Sequence, residues 1–71
     1  MTGSYSDTAT RLTGRMREVI QAAADGLTAA QTAGRLGVSV STIRTERSAA
    51  LHRLGVESMP AAVARYLAGE R

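Results

Sequence analysis

Apolar positions along the chain fall into four groups at helical spacing, each closed off by small or turn-forming residues. Met16, Val19, Ile20 and Ala23 recur at i, i+3, i+4 and i+7, one face of a 3.6-residue period. That spacing predicts a helix from Gly14 to Asp25, with Thr13 as N-cap and Gly26 as C-terminal stop. Glu18 lies near its start, where the dipole favours an acid. Leu27 is an apolar plug before TAAQ (28–31), which has the S/T-x-x-E/Q form of a capping box. A second helix follows from about Ala29 to Leu36. It is two turns long and carries Gly34, which costs up to about 1 kcal/mol relative to Ala, so neighbours must hold it. Gly37 ends it in a left-handed conformation, Val38 plugs the turn, and Ser39 caps a third helix over about 40–54. Gly55 closes that helix, and Ser58 caps a fourth over about 59–69, where Pro60 fits the first turn. No strand alternation, repeat or long linker interrupts the pattern. Residues 1–11 are small and polar and read as a flexible N-terminal arm. Residues 12–71 read as one compact all-α, four-helix domain.

The second helix, the Gly37 turn and the third helix have helix-turn-helix form. The third helix has two unlike faces. Ile43, Ala50 and Leu54 share the side that can bury, while Ser41, Arg44, Thr45, Ser48 and His52 share the other. Such a helix fits the major groove of double-stranded DNA, roughly 12 Å wide. Arg44 is the candidate for a bidentate contact to guanine, Thr45 for a thymine methyl or a hydrogen-bonding edge, and Ser48 for a base or phosphate. Arg47 lies between the faces and suits phosphate. Thr28 and the N–H groups after it offer an anion site, as do Ser39 and Thr42 at the third helix start. The bland alternative is that the polar face is merely solvated.

Composition narrows the classes. In 71 residues there is no Cys, Phe or Trp, so no disulfide or thiolate site supports a thin aliphatic core. All nine basic residues are Arg, against six acids, for a net charge of +3. A mild basic excess fits an anionic partner without driving binding alone, and the Arg and Ala bias also fits a GC-rich genome. No apolar run approaches the roughly 18 residues of a membrane span. The N-terminus lacks the apolar core of a signal peptide. The expectation is a cytoplasmic protein with no membrane contact, cofactor, metal or small-molecule ligand. His52 is the only His and no nucleophile–base set accompanies it, which argues against an enzyme.

The run LTGRMREVIQAAADGLTAAQTAGRLGVSVSTIRTERSAALHRLGV (12–56) resembles the LuxR/GerE-type helix-turn-helix domain, whose pattern is approximately LTxREREVLxLxAxGLSxKEIAxxLxISxxTVKxHxxxIxxKLxV. The matches include Leu12-Thr13, Arg15, Arg17-Glu18-Val19, Gly26-Leu27-Thr28, Ala33, Leu36-Gly37-Val38-Ser39, Thr42-Ile43-Arg44 and Leu54-Gly55-Val56. The resemblance covers about 12–68. It implies a DNA-binding domain of a transcription regulator, here similar to the stand-alone GerE-like members. By position it carries base contacts to Arg44, Thr45 and Ser48, and phosphate contacts to Thr28, Gln31, Thr42 and Arg47. It also implies dimerisation through the fourth helix.

Departures from the pattern matter. Gly14 stands where Pro is usual, Met16 replaces an acid, and Ala30 replaces a basic residue near the second helix start. Thr32 replaces a buried Ile, Ala50 a larger aliphatic, and Glu46 a His. Glu46 can pair with Arg15 or Arg17, or accept from a cytosine amine. These changes predict weaker DNA affinity and a less stable monomer than is typical.

Met59, Ala62, Val63, Tyr66 and Leu67 recur at helical spacing on the fourth helix. Pro60, Ala64 and Tyr66 leave its outer stripe largely apolar. That helix either closes the bundle or forms a two-fold dimer contact through Pro60, Val63, Ala64 and Leu67. With few Arg on the DNA side, a homodimer with half-sites about one turn apart is expected. The alternative function is a protein-interaction module for RNA polymerase, a sigma factor or another regulator, with Met16 and Met59 as extra apolar surface.

Overall fold

The computed structural model describes residues 12–70. The expected N-terminal arm and Arg71 lie outside them. Among the described residues there are four helices and no strand: α1 (Gly14–Ala24), α2 (Ala29–Leu36), α3 (Val40–Leu54) and α4 (Met59–Leu67). Their starts share one chemistry. Thr13, Thr28, Ser39 and Ser58 sit in extended backbone, and each side-chain oxygen accepts the N–H three residues on, satisfying one of the orphan donors of a first turn. At Thr28 the capping box is complete. Gln31 N donates to Thr28 Oγ1 at 3.1 Å, and Thr28 N donates to Gln31 Oε1 at 2.8 Å.

The stops are equally local. Gly37 and Gly55 adopt left-handed φ of 71° and 68°, which costs glycine little and other residues more. Val38 N then donates back to Ala33 O at 3.1 Å, and Val56 N to Leu51 O at 3.1 Å, closing the last turns as a Schellman-type cap does. α4 ends at Leu67 with Ala68 as C-cap, two residues short of the expected 69.

Two clusters make the core. Leu12, Met16, Ile20, Ala50, Leu54, Ala62 and Tyr66 join α1, α3 and α4. Val19, Ala33 and Ile43 join α1, α2 and α3. Neighbouring residues of α1, Val19 and Ile20, serve different clusters, so α1 is the keel on which both halves of α3 rest. The N-terminal half of α3 is therefore fixed against α2, and its C-terminal half against α1 and α4.

Several expectations change. Ala22, not Ala23, is buried on α1, because the buried arc widens on the Val19 side. Tyr66 does not belong to the outer stripe of α4 but is 6% exposed in the main cluster. Met16 is buried there too, so it forms no surface, while Met59 is half-buried and packs against the cluster. Thr32 is fully buried, and its hydroxyl donates to Thr28 O at 2.8 Å. The loss of a larger aliphatic is thus met by an internal hydrogen bond rather than by an unsatisfied polar group.

Gly34 is exposed, and a Cβ built there meets nothing within 4 Å. Gly34→Ala is expected to stabilise the domain by about 1 kcal/mol through reduced unfolded-chain entropy and better helix propensity. The check is a urea melt; an unchanged or lowered midpoint contradicts the expectation.

Candidate nucleic-acid interface

α2 ends at Leu36 and α3 begins at Val40. Three residues turn the chain, and the Gly37 φ together with the Val38–Ala33 hydrogen bond leaves that turn little freedom. Ile43, fully buried beside Val19 and Ala33, fixes the roll of α3. With Ile43 inward, helical geometry at about 100° per residue turns 41, 44, 45, 48 and 52 outward. Ser41, Arg44, Thr45, Ser48 and His52 are all exposed, and together they form one continuous polar stripe.

The phosphate candidates flank this stripe at two capped helix starts. Thr28, Gln31 and Ser39 are exposed, and Thr42 is half-buried. Capping does not exhaust them. Gln31 uses its Oε1 on Thr28 N, which leaves its amide N–H groups as donors. Thr28 Oγ1 accepts from Gln31 N and keeps its own proton to give. Ser39 and Thr42 share a hydroxyl–hydroxyl bond of 3.0 Å, and Ser39 Oγ also accepts Thr42 N at 3.1 Å. The N–H groups of each first turn point the same way as the positive end of the helix dipole.

Arg47 differs from the expectation that it lies simply between faces. It is four residues after Ile43 and three before Ala50, both fully buried, so it continues their stripe. The side chain is half-buried, and its Nε is enclosed without a hydrogen-bond partner. Its stem is thus packed along the core edge, with the head at the margin. The sequence signal was available: 43, 47, 50 and 54 form a single i, i+4, i+7, i+11 line.

Glu46 is half-buried and makes neither of the expected contacts to α1. Among the described residues the ion pairs are Arg15–Glu18 at 3.9 Å and Arg65–Glu70 at 3.2 Å, while Arg17 Nη1 donates to Leu12 O at 2.8 Å. Arg15 finds its acid one turn away on its own helix, and Arg17 is held by a backbone carbonyl. Glu46 also lies well round α3 from the exposed stripe, about 140° from Ser41, which turns it away from that stripe.

The family model for bacterial regulatory proteins of the luxR family matches residues 10–66. The chain belongs to that family. The match begins ahead of the α1 cap and runs through Tyr66 of α4, so it includes the whole helix-turn-helix. No curated protein and no solved structure matches the chain. Membership in the LuxR family makes this domain a DNA-binding transcription regulator by class, of a family that is not enzymatic. Structure explains several of the matched motifs: in Gly26-Leu27-Thr28 and Leu36-Gly37-Val38-Ser39 of this LuxR-family domain, the glycine stops one helix and the hydroxyl caps the next. No helix among the described residues is long and apolar enough to cross a membrane.

Proposed function

We propose that this LuxR-family domain is a sequence-specific regulator of transcription in the cytoplasm that lays α3 in the major groove and acts as a homodimer through α4. The observation that carries the reading is the outward stripe of Arg44, Thr45 and Ser48 on a helix whose opposite side is locked by Ile43, Ala50 and Leu54. Arg44 reads guanine through its planar fork; Thr45 and Ser48 read neighbouring edges. Thr28, Gln31, Ser39, Thr42 and Arg47 hold phosphate oxygens and set the register. Binding draws Arg47 outward, and a phosphate satisfies the donor that is buried and unpartnered in the free protein.

Only Arg44 and Arg47 supply positive charge on α3 near the groove, and Glu46 lies between them. One domain therefore neutralises few phosphates and binds weakly at physiological salt. A second copy doubles the contacts. Leu67 is the exposed large apolar residue of the described chain, at 60%. With exposed Pro60 and Ala64, and half-buried Val63 at the edge where it also packs against the main cluster, it makes an apolar stripe on the outer side of α4. A two-fold contact there covers it.

The full chain, used to select from random duplexes, is expected to enrich a two-fold-symmetric site with half-site centres about 10 base pairs apart. Failure to enrich any motif overturns the reading. Leu67→Glu is expected to keep the helical melt and convert a dimer to a monomer in sedimentation on operator DNA, with affinity down by at least about tenfold. Retention of the dimer by that variant removes α4 as the interface.

A further inference from the structure

The exposed stripe of α3 is poor in fixed charge. Five of the nine arginines, Arg15, Arg17, Arg35, Arg53 and Arg65, line one open groove between α1 and the C-terminal ends of α2, α3 and α4. Of the stripe residues only Arg44 is an arginine, and Arg47 starts from the core side with a half-buried stem. His52 ends the stripe and is the one other member that can carry charge.

The surroundings of His52 leave its ring to solvent. It follows the buried Ile43 by nine residues, half a turn round the helix at about 100° per residue. α1, α2 and α4 all pack on the buried side. Their acids Glu18, Asp25 and Glu70 line the same groove as the five arginines, so the charged groups of those helices gather away from the ring. On α3 itself, Glu46 and Arg47 lie about 120° and 140° round the helix from His52, and Arg53 about 100°. Glu57, exposed in the turn after α3, is the carboxylate nearest along the chain. Among the described residues the His52 ring makes no hydrogen bond or ion pair.

α3 has 15 residues and is about 22 Å long, against a major groove roughly 12 Å wide. The N-terminal part of a recognition helix meets base edges, so its C-terminal part leaves the groove past the sugar–phosphate wall. His52 stands about 12 Å along the axis from Arg44, far enough to reach that wall. A phosphate there meets the negative end of the α3 dipole, which makes its approach unfavourable unless a cation stands between. Arg53, also in the last turn, faces the groove with α1 instead.

We propose, resting on the placement of α3 in the major groove, that protonated His52 holds a DNA phosphate, so that affinity for duplex DNA rises as pH falls. An imidazole changes charge between about pH 5 and 8, where a phosphodiester stays an anion. His52 is the only His and the chain has no Cys, so no other side chain ordinarily titrates in that range. The protonated ring donates from both nitrogens and neutralises one more phosphate; the neutral ring does not. Phosphate in turn favours the charged ring, so the complex keeps the proton to higher pH than the free domain. The gain is complete where the free ring is already protonated, and it is lost as pH rises and the ring in the complex gives up its proton.

The test titrates the full chain with the selected duplex and a scrambled one, by fluorescence anisotropy at about pH 5.5 and about pH 8. One more neutralised phosphate steepens the salt slope by about 0.9 per half-site, roughly five- to tenfold in affinity at about 0.1 M salt. Wild type is expected to show that gain at the lower pH with both duplexes alike, because a phosphate carries no sequence. His52→Gln is expected to bind at either pH as wild type does at the higher, and His52→Arg to bind tightly at both, each with an unchanged melt. With duplex present, the His52 ring resonances are expected to titrate at higher pH than without it. Selective binding by wild type that is equal at the two pH values overturns this proposal alone and leaves α3 as the reading helix. So does a pH response that survives His52→Gln, one limited to the selected duplex, or a His52→Arg protein no tighter than wild type at the higher pH. Binding of no duplex at either pH removes the proposal together with the placement of α3 on which it rests.

Discussion

Replacing Arg44 by Ala is expected to remove the sequence preference of this domain while leaving its fold untouched. The side chain is exposed at the outer side of α3 and makes no hydrogen bond or ion pair with the described residues that folding would lose. A bidentate guanidinium–guanine contact is worth about 1–3 kcal/mol of discrimination, so each half-site loses roughly 5- to 150-fold between the selected and a scrambled duplex. In a dimer both half-sites lose it together. The measurement is fluorescence anisotropy with both duplexes at two salt concentrations. Arg47→Ala is the contrasting variant: it weakens both duplexes alike and reduces the salt slope by about one. An Arg44→Ala protein that still separates the two duplexes as wild type does would move the reading site off this residue.

Replacing Ile43 by Ala is expected to cost about 2–5 kcal/mol, most of what a domain of this size has. Ile43 is fully buried where α3 meets Val19 of α1 and Ala33 of α2. The other two buried residues of that cluster, Val19 and Ala33, are β-branched and small, so the cavity has little flexible material to collapse into it. A single thin core near 70 residues rarely supplies more than about 3–5 kcal/mol. The variant should therefore be largely unfolded at 37 °C, with its urea midpoint near zero, and should bind no duplex. Dichroism separates the two variants: Arg44→Ala melts like wild type, and Ile43→Ala does not. A wild-type melt for Ile43→Ala would mean that α3 is not held by this contact.

Both experiments bear on the same helix, and their difference reflects how much of the domain is readable in one dimension. Each start and stop is a local event within four or five residues. A hydroxyl accepts the N–H three residues on, and a glycine takes a left-handed φ. Thr13, Thr28, Ser39, Ser58, Gly37 and Gly55 are therefore visible in the sequence, and the helix ends differ from expectation by at most two residues. The inward side of α3 is visible for the same reason, since Ile43, Ala50 and Leu54 keep helical phase.

Side chains that choose between partners are less legible. Glu46 had two arginines of α1 as expected partners. Arg15 instead meets Glu18, one turn along its own helix, and Arg17 meets the Leu12 carbonyl. Local pairs close with less loss of chain entropy than pairs between helices, but which of them forms depends on how α1 is rolled. Tyr66 presented a similar choice. Its ring can face water or core, and the gap beside Leu12, Met16 and Ala62 took it in because an aromatic ring gains most from burial.

The sequence by itself determined the four helices, their caps, the helix-turn-helix and the polar stripe of Arg44, Thr45 and Ser48. All of these rest on interactions within a few residues or on the period of a single helix. Only the tertiary structure decided the depth of Arg47 beside the core, the burial of Met16 and Tyr66, and the gathering of Arg15, Arg17, Arg35, Arg53 and Arg65 around one groove. Those depend on how helices distant in the chain are rolled and crossed, and no spacing along one helix carries that information.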